Sequence, residues 1–115
     1  MLRIALPILL LASPALADAG IKVKLSLKAG AEKRAYDLLI VEQTCGKSQE
    51  KTTDHTDEIK VCAHDIQNNN VRLDVDWMTL QGQNDNTGHT SIIVARNSSA
   101  MVANTGTYRL DVAVQ

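Results

Sequence analysis

The sequence predicts an all-β protein: a small antiparallel β-sandwich of six to eight strands with one disulfide, following an N-terminal signal peptide. Three observations predict it. Apolar and polar residues alternate with period two through most of the chain beyond residue 20, the signature of strands with one buried and one wet face. Asn- and Gly-containing turn signals break that alternation every 10 to 15 residues. No helical stripe is present, and the connections are too short and polar for βαβ crossovers, so the sheets are expected to be antiparallel.

The first element is the signal. Met1 to Arg3 carries one positive charge, Ile4 to Leu11 is apolar, and Ala15-Leu16-Ala17 has the small-x-small form that signal peptidase cuts, placing cleavage after Ala17. The apolar run is shorter than the roughly 20 residues a membrane-spanning helix needs. Residues 18–115 then form a single domain. No Cys follows the cut directly, so no lipid anchor and no membrane insertion are expected, and the mature protein is expected to be periplasmic or secreted.

Ile21, Val23, Leu25 and Leu27 alternate with Lys22, Lys24, Ser26 and Lys28, predicting a strand whose lysine row suits a sheet edge. Ala29 to Glu32 reads as a turn. Tyr36 to Gln43 reads as a second strand, and its apolar run Leu38-Leu39-Ile40-Val41 suits burial on both faces. Lys47 to Glu58 is polar and reads as a surface loop. Ile59, Val61 and Ala63 alternate with Lys60, Cys62 and His64 in a third strand. After the Asn68-Asn69-Asn70 turn, Val71 to Leu80 is the clearest strand of all. Gln81 to His89 reads as a loop. Ser91–Arg96, Ala100–Ala103 and Tyr108–Val114 complete the set, the last two separated by the Asn104-Thr105-Gly106 turn. The expected core is Ile21, Val23, Leu25, Leu27, Tyr36, Leu38, Ile40, Ile59, Val61, Val71, Leu73, Val75, Trp77, Leu110, Val112 and Val114.

Two cysteines in an exported chain predict a Cys45–Cys62 disulfide. It closes a ring from residue 45 to residue 62 inclusive, 18 residues, for which the chain-entropy treatment gives about 3 kcal/mol. Parity leaves two arrangements. A bulge near Thr44 would reset the alternation and place both cysteines in the core, which is the favoured arrangement. Without it both cysteines face outward, and Leu39 and Val41 join an apolar patch outside the core.

Length and composition exclude several function classes. At 115 residues and 12.5 kDa the chain is too small for a multidomain enzyme. Removing Arg3 leaves eleven Lys and Arg against thirteen acids, a net charge of −2 with the signs interspersed, so neither nucleic acid nor a polybasic membrane contact is expected. His55, among Asp54, Asp57 and Glu58, matches no compact metal motif with His64 or His89, and a solvated loop is the expected reading, with no metal and no cofactor. Gln83 to Gly88 lacks the first acid and the bidentate Glu of a calcium loop. Asp74 and Asp76 share a strand face with Arg72 and read as solubilising charges. Ser, His and Asp are all present, but no nucleophile motif is.

An enzyme is therefore the least expected class. The expectation is an exported, non-catalytic protein that acts by protein–protein contact in the periplasm or cell envelope. The expected interaction patch comprises Leu39, Val41, Gln49 and Glu58, with an envelope protein as partner. The alternatives are a small inhibitor or immunity-type protein that presents loops Lys47–Glu58 and Gln81–His89 to an envelope hydrolase, and a periplasmic metal or ligand carrier.

Overall fold

The computed structural model describes residues 20–41 and 43–115, without the side chains of residues 65–67. The signal peptide and its cleavage after Ala17 lie outside the described residues. Eight strands form in chain order, and no helix occurs among the described residues: β1 (Gly20–Ala29), β2 (Glu32–Val41), β3 (Cys45–Lys51), β4 (His55–Gln67), β5 (Asn70–Gln81), β6 (Asn84–Ala95), β7 (Ser98–Asn104) and β8 (Tyr108–Val114). They make two four-stranded antiparallel sheets, one ordered β2-β1-β8-β7 (sheet A), the other β3-β4-β5-β6 (sheet B). Sheet A is assembled from the first and last hairpins of the domain, which meet along β1 and β8. Sheet B is a meander.

The turns follow from local chemistry. Asn68 and Asn69 both take positive φ (52° and 69°) in the two-residue link from β4 to β5, the conformation that a tight hairpin requires and that Asn tolerates. Gly106 (φ 96°) lies in the β7–β8 turn, where the Asn104 side-chain oxygen accepts from its amide at 3.1 Å. At the corner between β2 and β3 the chain changes sheets. Gln43 takes φ 68° there, its amide donates to the Ala63 carbonyl, and the Ala63 amide donates to that of Thr44.

The inward row of each strand builds one core between the sheets. Ile21, Val23, Leu25, Leu27, Ile40, Ile59, Val61, Val71, Leu73, Val75, Leu110, Val112 and Val114 are all buried, as the alternation predicts, and Ala29, Ala63, Val94 and Tyr108 join them. Tyr36, Leu38 and Trp77 pack on its margin, partly buried.

Four local expectations need correction. The lysine-bearing β1 is interior to sheet A, between β2 and β8, so its lysines line an outer face and not an edge. The apolar run in β2 is not buried on both faces: β2 is an edge strand with an open outer side, and Leu39 and Val41 are 67% and 53% exposed. Both expected loops are mostly strand. Residues 45–51 pair with 56–62, and residues 84–95 pair with 70–81, so ladder hydrogen bonding overrides their polar composition. No bulge turns the cysteines inward. Cys45 and Cys62 face each other directly across β3 and β4, with Cα atoms 3.9 Å apart, and Cys62 points outward between the buried Val61 and Ala63.

Candidate functional site

The edge strands β2 and β3 belong to different sheets and run side by side, forming a seam. Gly46 makes the close approach possible, since a Cβ there would lie 3.0 Å from Ile40 Cγ1. At one end of the seam lies a polar network centred on Asp57, which is only 1% exposed. Asp57 has the parity of Ile59 and Val61, so β4 carries it into the interior. Arg34 on β2 grips its carboxylate with two bonds, Nε to Oδ2 at 2.6 Å and NH2 to Oδ1 at 3.1 Å. The Tyr36 hydroxyl donates to Oδ2 at 2.5 Å and the Thr79 hydroxyl to Oδ1 at 2.9 Å. Tyr108 Oη stands 3.1 Å behind Thr79.

Electrostatics follow from this packing. Burial pushes the Asp57 carboxyl up, but the hydrogen bonds from Arg34, Tyr36 and Thr79 outweigh it and hold the group below the ordinary carboxylate range. Burial and the donated bond to Asp57 raise Tyr36, and burial raises Tyr108, so both stay neutral phenols.

Glu50 and His55 extend the network to the surface, with His55 Nε2 2.6 Å from Glu50 Oε1 and that oxygen 3.4 Å from the Tyr36 hydroxyl. Ligand atoms of Glu50, His55 and Asp57 all lie within 4.8 Å of one another. Their chemistry nevertheless disfavours a cation. The four lone-pair positions of the Asp57 carboxylate are taken by four donors, two of them from the Arg34 guanidinium, a fixed positive charge. The arrangement ties β2, β4 and β5 together. Sequence reasoning missed it, although the signal was present: extending the Ile59–Val61 alternation two and four residues upstream puts Asp57 and His55 on the inward face, and Arg34 shares the parity of Ile40.

The other candidate groups lie on the outer face of sheet B. His64 Nε2 is 2.6 Å from Asp74 Oδ2, Ser91 donates to Asp74 Oδ1, and His89 Nδ1 is 2.6 Å from Asp76 Oδ1. Serine, aspartate and histidine thus do meet, but with the carboxylate in the middle. The Ser91 hydroxyl bonds to Asp74 instead of to an imidazole, and that bond lowers the Asp74 carboxyl, making it a weak base. Residues 83–88 include the start of β6, whose extended backbone does not wrap a cation.

The expected patch residues flank the seam. Leu39 and Val41 project from the outer side of β2. Gln49 and Glu58 are register partners on the outer side of β3 and β4, on the same side as the disulfide. Gln49 donates to Glu58 at 2.9 Å, and Lys47 Nζ is 3.1 Å from the other Glu58 oxygen. The patch therefore has two banks, apolar on sheet A and polar with a disulfide on sheet B. No protein-family model, no curated protein and no solved structure matches the chain.

Proposed function

We propose that the protein is exported and acts by contact with another protein in the cell envelope, through the surface flanking the β2–β3 seam. The observation that carries this reading is the pair Leu39 and Val41, two large apolar side chains left 67% and 53% exposed on one side of an edge strand. Placing such residues side by side in water disfavours the free surface and favours its burial by a partner. The Cys45–Cys62 disulfide is consistent with an oxidising compartment, and no helix among the described residues is long and apolar enough to cross a membrane. The disulfide also fixes the far bank of the seam, so the surface is ordered before contact, which lowers the entropy cost of binding. Much of Lys47–Glu58 and Gln81–His89, the segments that the inhibitor alternative would present as loops, is strand, so that alternative would act through hairpins.

A photo-crosslinking residue at position 39 tests this in intact cells. One adduct of defined mass is expected, lost when Val41→Asp is added and absent when the crosslinker is at Ala95 on β6, the edge of sheet B away from the seam. No adduct at position 39, or the same adduct at both positions, rejects the reading.

A further inference from the structure

The outer face of sheet A holds a second feature, independent of the seam contact. The register sets Lys33 on β2, Lys28 on β1 and Arg109 on β8 directly abreast. Like charges directly opposite in an antiparallel ladder repel, so the row weakens the sheet it sits on. The contrast with Lys24 on the same strand is informative: Lys24 has Asp37 opposite it, whereas Lys28 has a cation on each side. Arg109 spends its Nε edge on Asp111 (2.9 and 3.2 Å), and its terminal nitrogens have no hydrogen-bond partner among the described residues. Among the described residues, neither Lys28 nor Lys33 makes an ion pair or a side-chain hydrogen bond.

The next row across the same three strands is Ala35, Ser26 and Asp111. Ser26 and Ala35 are short, so long cationic side chains on one flank and a low floor beside them enclose a groove of about 430 Å³. Three cationic groups line a floor that carries the Ser26 hydroxyl and the Asp111 carboxylate; Asp111 offsets one of the three charges, and the remaining two call for a multiply charged, multi-acceptor anion. A single carboxylate brings one charge, whereas a phosphate group brings close to two and enough oxygens for all three donors. The groove exceeds one phosphate in size and lies in the range of small-molecule clefts. We infer that the Lys28–Lys33–Arg109 groove binds a phosphate group carried on a larger ligand, and that neutralising the row stabilises the sheet.

The test uses the mature protein with its disulfide intact, titrated with pyrophosphate in solution and, separately, with phosphatidic acid vesicles, whose headgroup is a phosphate monoester, against neutral phosphatidylcholine ones. Backbone amide resonances of Ser26, Leu27 and Ala35 are expected to shift with pyrophosphate, and the melting temperature to rise. Vesicle binding with no response to pyrophosphate assigns the phosphate to a lipid headgroup, and a response to pyrophosphate assigns it to a soluble ligand. Either outcome supports the inference if Lys28→Gln/Lys33→Gln weakens binding by about ten-fold or more while Lys47→Gln/Lys60→Gln on sheet B changes it by less than about two-fold. No response to either probe, an equal response in the two double variants, or an equal response to chloride at matched ionic strength overturns it.

Discussion

Arg34 on sheet A and Asp57 on sheet B are joined by two hydrogen bonds across the β2–β3 seam, and Asp57 is almost wholly excluded from water. Removing either partner leaves the other buried and uncompensated, so Asp57→Ala is expected to cost about 3 kcal/mol or more, and Arg34→Met to cost a similar amount. Replacing both with apolar residues of matched volume is expected to recover much of that loss. Urea titrations of the two single variants and the double variant measure the coupling.

The same pair makes stability depend on pH in a definite direction. The Asp57 carboxyl is held below its ordinary value in the folded state. Its contribution is therefore fully present above the unfolded carboxylate value of about 3.9 and disappears as pH falls through the lower folded value. Unfolding free energy is expected to be nearly flat in this component from pH 7 to about pH 5 and to decline below about pH 4. Asp57→Asn, less stable at neutral pH, should lack that step, so the two curves converge in acid. Curves that stay parallel down to pH 2 would show that Asp57 titrates normally.

The disulfide lies at the sheet-corner end of the β3–β4 hairpin, opposite the His55 turn, and joins residues already paired in the ladder. Its loss is expected to act chiefly on the unfolded chain. Cys45→Ser/Cys62→Ser should fold to the same two sheets and lose about 3 kcal/mol in denaturant titration. The parent protein should show no titratable thiol until it is unfolded and reduced.

The fold was legible because one rule, alternation, acts at nearly every strand position. It identified thirteen of the buried aliphatic residues and the Asn68–Asn69 turn. It failed where composition was allowed to override it. The segment from Lys47 to Glu58 looked like a loop because it is charged, yet Asp57 keeps the parity of Ile59 and is buried with matching donors from two other strands. Arg34 and Thr79 lie far from Asp57 in sequence, so only the pairing of strands reveals them as partners. Charge sorting was hidden for a related reason. Lysines interspersed along the chain look evenly mixed, but period-two geometry sends Lys22, Lys24 and Lys28 to one face. The exposure of Leu39 depended on whether a further layer covers the outer face of sheet A, a property of the architecture that a local pattern does not carry.

Adjacent residues of β2 offer a direct check on that face assignment. Ile40 is 1% exposed and Leu39 is 67% exposed. Ile40→Ala is expected to cost about 2–5 kcal/mol through lost burial and a residual cavity. Leu39→Ala, one position away, should change stability by no more than about 0.5 kcal/mol while reducing partner capture. Equal costs at the two positions would place both side chains in a core.

Gly88 and Trp77 provide the last prediction. They are register partners on β6 and β5, and the indole ring lies across the glycine so closely that a Cβ at position 88 would sit 2.2 Å from Trp77 Cζ2. Gly88 has no positive φ that would require glycine, so the constraint is the ring and not the backbone. Trp77 is further held by its Nε1, which donates to Asn86 Oδ1 at 3.2 Å. Gly88→Ala is therefore expected to displace the indole, change its near-ultraviolet circular dichroism and fluorescence, and cost about 1–3 kcal/mol. If the clash is the whole cause, shrinking the ring should relieve it. Trp77→Leu should be destabilising alone, yet Gly88→Ala added to it should cost little or nothing further, a coupling of about 1 kcal/mol or more in a double-mutant cycle. Additive costs would mean that Gly88 matters for its backbone and not for the ring above it.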